Sequence, residues 1–480
     1  MRYSSIIALP LSLCATFAAA EATPEGAAAL TATFQNYLGT TEGVVAVAVD
    51  GDTYEVTIDP APLVAKIPAQ GLTASVTPLV LTLTDNEDGT WDYALDQPVS
   101  LAYAMPGMMS TKTEYGSVQL SGTFDEALGD SSEYHFEASD MTSEQTQTDP
   151  TLGEIAIKVS QDSLTLDGTA VAATMGVDGQ ITTSASNTQY AMTMPMGEGA
   201  APMNVTATMA AASGTAKLKG YKPAALYGLL AWFVAHPDAA LIEADKAGLK
   251  TQLQSALPFF ENLNATMAYT DISVNSPVGE FGLDEAGVVI DMNGAVTDGK
   301  FREAFTLTGL TMPEGLLPPF AAPLVPSDLS FDFAVSKFDL ASAARLALGL
   351  LDLPAGTPPG PEFEAQMLAA LLPDGVVDIS VAPGGATAPA YTLGFEGAMT
   401  VGPASPLPVG KATVTLKGLD AIKEALKASP PEMGMQEMEP MLGMAEAMAK
   451  PGADGALVWE LEATATGAML VNGTNMMGAE

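Results

Sequence analysis

The stretch YKPAALYGLLAWFVAHPDAALIEADKAGLKTQLQSALPFFEN, Tyr221 to Asn262, is the longest part of the chain that reads as helix. Pro223 falls in a first helical turn, where its missing N–H has no partner to lose. Leu226, Leu229, Leu230 and Phe233 recur at i, i+3, i+4 and i+7 and so share one face. His236-Pro237-Asp238 breaks this helix, because proline disfavours helical backbone at the residue before it. A second helix is expected beyond, with Leu241, Ile242, Leu249, Leu253 and Leu257 as its stripe and an end near Pro258. The apolar piece, Ala224 to Ala235, is too short for a bilayer, which takes roughly 20 residues. The pair reads as a core-facing hairpin whose apolar face is a candidate ligand or partner surface.

Outward from it on both sides, Thr, Val, Ala and Gly alternate as half-buried strands do. Before the hairpin, strands are expected at Val44 to Val49, Tyr54 to Ile58, Leu72 to Thr84, Ser117 to Phe124 and Tyr134 to Ala138. Others follow at Glu154 to Val159, Ser163 to Leu166, Ala170 to Met175 and Ile181 to Tyr190. A short amphipathic helix is expected from Thr33. After the hairpin the alternation returns, clearest at Phe301 to Gly309 and Leu329 to Val335. Helices are expected at Ala341 to Leu351 and Glu362 to Leu372. Met312 to Pro326 holds five prolines, which excludes a central strand or regular helix and predicts a connector or lid.

A strand followed by a short break and a helix recurs four times: Thr53 to Ile67, Thr215 to Phe233, Phe333 to Leu351 and Thr413 to Lys427. The expected fold is therefore α+β and mainly β, with one or two long curved antiparallel sheets and helices packed on one face. The expected segments are a signal peptide (1–20), a β-rich domain (21–215), the helical hairpin (216–262) and a second β-rich domain with helices (263–480).

Arg2, the apolar run Ile6 to Ala20 and Ala18-Ala19-Ala20 form an export signal with a small-residue cleavage site. Export to the periplasm and cleavage after Ala20 are expected. Cys14, the single cysteine, would leave with the signal and take disulfide and thiol chemistry with it. The 57 acidic against 18 basic residues give a net charge of −39. Such a surface repels nucleic acid and anionic headgroups.

No catalytic motif is present. His135 and His236 share no motif, and there is no nucleophile elbow, zinc-binding HExxH, P-loop or dinucleotide fingerprint. No cofactor or metal is expected. Met433, Met435, Met438, Met441, Met444 and Met448 crowd one stretch, and the last four recur at helical spacing. Thioethers suit Cu(I), but no histidine accompanies them, so a core or partner-facing stripe is the reading. These four join the hairpin face as candidate apolar ligand or partner residues.

The end of the chain, KATVTLKGLDAIKEALKASP and MLGMAEAMAKPGADGALVWELEATATGAMLVNGTNM, together with LVPSDLSFDFAVSKFDL, resembles an alphaproteobacterial family of exported proteins of unknown function. The resemblance covers mainly the second half and carries no catalytic residue. More distantly, strand-then-helix modules in an exported β-rich chain resemble the AsmA-like envelope proteins, which implies an envelope role and a sheet that cradles lipid. The functional expectation is a non-enzymatic periplasmic protein that binds a lipid-like ligand or an envelope partner. A purely structural or assembly role is the alternative, and a carboxylate-based hydrolase the remote one.

Overall fold

The computed structural model describes residues 22–66, 71–196, 200–354, 357–430 and 435–476. The expected signal segment, Cys14 and Met433 lie outside these residues. The chain divides into two compact units, Met1–Leu263 with Leu348–Pro358, and Asn264–Ala347 with Pro359–Glu480. The helices expected between two β-rich domains belong to the first unit.

That unit opens on α1 (Pro24–Leu38), capped by Thr23, whose Oγ1 accepts from the Gly26 N–H at 3.0 Å, and ended by Gly39 at φ 85°. The helix starts well before Thr33, because its Ala-rich first turns favour helix without showing an apolar period. The hairpin of β1 (Val45–Asp50) and β2 (Thr53–Ile58) follows as expected, then α2 (Ala61–Val64). The run from Leu72 to Thr84 is two strands, β3 (Thr73–Val76) and β4 (Leu79–Asp85). Pro78 separates them, having no N–H for a ladder.

Six long strands complete the sheet: β5 (Thr90–Met105), β6 (Met109–Asp125), β7 (Asp130–Asp149), β8 (Gly153–Ala172), β9 (Val177–Met194) and β10 (Met203–Tyr221). The antiparallel order is β1-β2-β4-β5-β6-β7-β8-β9-β10, with β3 on the far half of β5. Ala27, Leu30 and Phe34 of α1 close the core against Val56, Leu83, Trp91, Leu95 and Phe124.

The short strands expected at Glu154, Ser163 and Ala170 prove to be one strand, and β7 runs on past Ala138. The reason is a one-residue change of phase that crosses the sheet. In β6 the residues on the face that bears the core are Leu120 and Val118, then Tyr115 and Thr113. In β7 they are Phe136 and Ala138, then Met141 and Ser143. β8, β9 and β10 change phase on the same line. Asp140 at φ 53° and Asn187 at φ 48° mark it in β7 and β9. Both residue types tolerate this left-handed backbone, which advances the side-chain alternation by one. Asn187 Nδ2 ties the line to β8 by donating to Asp162 Oδ2 at 2.7 Å. Read as sequence, a broken alternation looks like the end of a strand.

Beyond β10 lie α3 (Pro223–Ala235), α4 (Ala239–Ala244) and α5 (Lys246–Ala256). The single second helix expected from the Leu stripe is thus split in two. Asp245 causes the split: its carboxylate caps α5, accepting from the Gly248 N–H at 3.0 Å, and competes with continued helix.

β11 (Asn262–Ser276) crosses the boundary between the units. The second unit then pairs β12 (Gly279–Asn293), β13 (Gly299–Thr308), β14 (Asp328–Phe338), β15 (Val377–Ala388), β16 (Tyr391–Gly402) and β17 (Ser405–Lys417) in sequential antiparallel order. Next to β17 lies β19 (Leu457–Ala463), whose other edge takes β18 (Lys450–Pro451) and β20 (Met469–Val471); β21 (Thr474–Asn475) closes the end. Phe305, Phe331 and Phe395 step across the sheet with ring centroids 5.6 and 6.0 Å apart. Helices α6 (Leu340–Leu348) and α7 (Phe363–Leu371) fall where expected, and α8 (Leu419–Lys427) and α9 (Glu439–Met448) precede β19. Between Met312 and Pro326 the only regular piece is a short turn of 3₁₀ helix, Ala322–Leu324. No described helix is long and apolar enough to cross a membrane.

Candidate functional site, an uncharged sheet face

Residues directly opposite one another in β5 to β10 form rows across the sheet. One row is Tyr103, Thr111, Gln145, Ile157, Met192 and Val205, and its neighbour on the same face is Leu101, Thr113, Ser143, Val159, Tyr190 and Ala207. The row between them faces the other way: Ala102, Lys112, Glu144, Lys158, Ala191 and Thr206. Outside the line of phase change, where Asp140 and Asp162 lie, the rows from Tyr93 outward to Met105 carry no Asp, Glu, Lys, Arg or His on the first face. Without the change of phase at Asp140 and Asn187, Ile157 and Met192 would turn to the charged side. Helix α1 packs on β1 and on the core residues of β2 and β4 to β6, α2 packs on β3, α3 reaches Tyr93 and Asp130 at the inner end through Tyr227, and the helices otherwise pack on one another. The outer rows of this face therefore have no covering layer among the described residues of the unit. Its apolar residues are densest on β8 to β10, and Thr111 Oγ1 on β6 is buried without a hydrogen-bond partner.

A polar knot closes the inner end. Tyr93, Gly122, Tyr134 and Gly168 alternate along one row. A Cβ on Gly168 would stand 2.0 Å from the Tyr134 ring, so only glycine lets the ring lie flat on the strand. Asp130 accepts from Tyr221 Oη and, at 2.7 Å, from the Ser131 N–H, while Tyr93 Oη lies 2.8 Å from Ser131 Oγ. Burial pushes the Asp130 carboxyl up, against the opposing pull of those two hydrogen bonds. Burial, and then the neighbouring Tyr93, Asp130 and Asp167, push Tyr134 up to about 12. Tyr221 and Tyr227 are raised further, with burial again the largest cause.

A carboxyl whose native pKa is raised holds its proton more tightly when folded. Its contribution is complete below the ordinary value of 3.8 and is lost as pH rises through the native value. Asp130→Asn keeps an acceptor for Ser131 and removes the ionisation. The variant is expected to unfold at the same or higher urea concentration than the parent at pH 7, and to lose less stability between pH 4 and pH 7. A variant that falls as steeply as the parent over that interval would show that Asp130 is not the titrating group.

In the hairpin, Trp232 is buried, as are Pro223, Leu249 of the expected second stripe and Ala256. Trp232 Nε1 donates to Asp245 Oδ2 at 3.0 Å, and the His236 ring stacks on the indole at 4.0 Å with Nδ1 2.7 Å from the Trp232 carbonyl. Asp245 is held below the usual carboxylate range, first by the Trp232 bond and then by the Gly248 N–H. Of the candidate face, Leu226 and Leu229 are half-buried, while Leu230 and Phe233 are 47% and 44% exposed. Trp232 lies off the i, i+3, i+4 pattern, so periodicity pointed to the leucines instead.

His135 sits on the charged face, in a row that runs Ser121, His135, Asp167. Its Nδ1 lies 2.7 Å from Asp167 Oδ1 and its Nε2 3.8 Å from Glu137 Oε2. These are the residue types of an acyl-transfer triad, brought together by register alone and invisible in sequence. Strands β6, β7 and β8 are paired on both edges, so their N–H groups serve the ladder and offer no oxyanion site. Among the described residues no group of three or more His, Cys, Asp or Glu is placed to hold a metal.

In the second unit Trp459 Nε1 donates to the Ala445 carbonyl at 2.7 Å, so α9 turns its Ala445 side to β19. Met438, Met441 and Met444 are consequently exposed, at 48%, 65% and 59%, and Met448 is half-buried. The side chain of Met435 lies outside the described residues. The two candidate groups thus sit in different units, and neither is part of the uncharged face. No protein-family model, no curated protein and no solved structure matches the chain.

Proposed function

We propose that this is an exported, non-enzymatic protein of the periplasmic envelope, and that its first unit holds a lipid-like ligand on the uncharged sheet face. The observation that carries the reading is the charge segregation of β5 to β10: an extended face without a single charge outside the line of phase change, apolar on β8 to β10, and no helix of the unit seated on its outer rows. Contiguous apolar surface of this kind marks a binding site more often than it stays in water. Covering it gains roughly 25 cal/mol per Å² of apolar area. Export rests on Arg2 and the Ile6 to Ala20 run. Helices recurring at strand ends and lying over one face of the sheets belong to the same reading.

The test is native mass spectrometry and organic extraction of protein purified from the periplasm. The parent is expected to carry an apolar molecule, and Ile157→Glu with Met192→Glu to lose it while keeping the circular dichroism of the parent. Both positions are half-buried in the outer rows, so the charges cost the fold little. A parent with no mass beyond the polypeptide would overturn the reading and favour a structural role.

A further inference from the structure

The ends of the uncharged face restrict what it holds. Every lysine of β5 to β10, namely Lys112, Lys158, Lys217 and Lys219, projects from the opposite face. Lys112 and Lys158 are also engaged there, with Glu114 at 2.8 Å and Glu144 at 2.7 Å. At the outer end the charge is negative. Asp149 ends β7, two residues beyond Gln147 on the uncharged face, and is held below the usual carboxylate range by the backbone N–H groups of Leu152 and Thr151. At the inner end lies Asp130. An anionic headgroup would meet a carboxylate at either end and no cation between.

Length and texture restrict the ligand further. From Met209 to Met203 along β10 the apolar rows run about 20 Å at roughly 3.3 Å per residue, the reach of a long extended acyl chain. Cross-strand pairs of methionine, Met105 with Met109 and Met194 with Met203, line the outer end. Thioether side chains adapt to chains of varied shape.

We infer that the ligand is a long-chain lipid whose headgroup carries no net negative charge, with its chains along β8 to β10 and its head at the Asp149 end. This rests on the reading in the preceding subsection. Anionic lipids are rejected by like charge rather than by fit.

The full chain, extracted free of lipid, is to be incubated with vesicles of phosphatidylcholine or of phosphatidylglycerol with the same acyl chains. The vesicles are then removed and lipid on the protein is counted by native mass spectrometry. Phosphatidylcholine is expected on the protein at roughly tenfold or more over phosphatidylglycerol at low salt, with the ratio narrowing as salt screens Asp149. Asp149→Lys is expected to admit phosphatidylglycerol, and Glu154→Lys, on the opposite face, is expected to leave the ratio unchanged. Equal uptake of both lipids, or preference for phosphatidylglycerol, overturns the headgroup assignment and leaves the lipid-binding reading standing. Uptake of neither, or protein that stays on the vesicles and carries no lipid away, overturns both.

Discussion

Phe124→Ala is expected to lower the unfolding free energy of the first unit by ~3–5 kcal/mol, the range for emptying a fully buried phenylalanine site. Phe124 is 1% exposed and lies opposite Trp91 in β5, in the cluster that α1 closes with Leu30 and Phe34. The surrounding elements cannot collapse into the space, because β5 and β6 are held in register by their ladder on both sides of the site. Urea unfolding followed by tryptophan fluorescence measures the loss. Met192→Ala, on the uncovered part of the sheet, is the internal control and should cost under ~1 kcal/mol, since its side chain already meets solvent. Equal losses at the two positions would mean that the outer rows are as well covered as the core.

The second large effect is alkaline. Tyr134, Tyr221 and Tyr227 all hold their protons more tightly in the folded unit than the ordinary value of 10.0 allows, Tyr134 up to about 12. Tyr93 moves the same way for the same first reason, burial. For a group raised on folding, stability is complete below the unfolded value and is lost as pH rises through the native one. The unfolded chain releases these protons near pH 10, and the folded unit cannot. The urea midpoint is therefore expected to stay level up to about pH 10 and to fall steeply above it. Each phenol contributes less than the ~1.4 kcal/mol per pH unit of a fully buried one, because the rings keep part of their surface in water. Tyr134→Phe should make the fall shallower. Phenol absorbance of the folded protein gives the check: titration of all its tyrosines near pH 10 would rule the mechanism out.

Much of the architecture was legible in the amino-acid order. The strands at Val44 and Tyr54, the proline-rich connector from Met312 to Pro326 and the helices at Leu340 and Phe363 follow from local chemistry: an alternation, a missing N–H, a 3.6-residue period. The β-rich character followed from alternation. Strand length did not. Asp140 and Asn187 break the alternation without ending the strand, and only pairing on both edges shows that the ladder runs through them. Asp245 likewise ended one helix and capped the next, a role that depends on Trp232 lying above it.

The candidate site was less legible still. The hairpin leucines and the methionine stripe stood out because helical periodicity is written within a dozen residues. The uncharged face is written across six strands, spread over more than a hundred residues, and no single strand announces it. Thr111 and Ile157 are ordinary in sequence; register puts them in one row, either side of Gln145. The order of residues alone determined composition, charge and the local punctuation of helix and turn, because these depend on contacts a few residues apart. The tertiary structure alone decided which side of each strand is shared, where the phase changes and where the carboxylates converge. Cross-strand register sets those features, and register is fixed by the packing of the whole sheet.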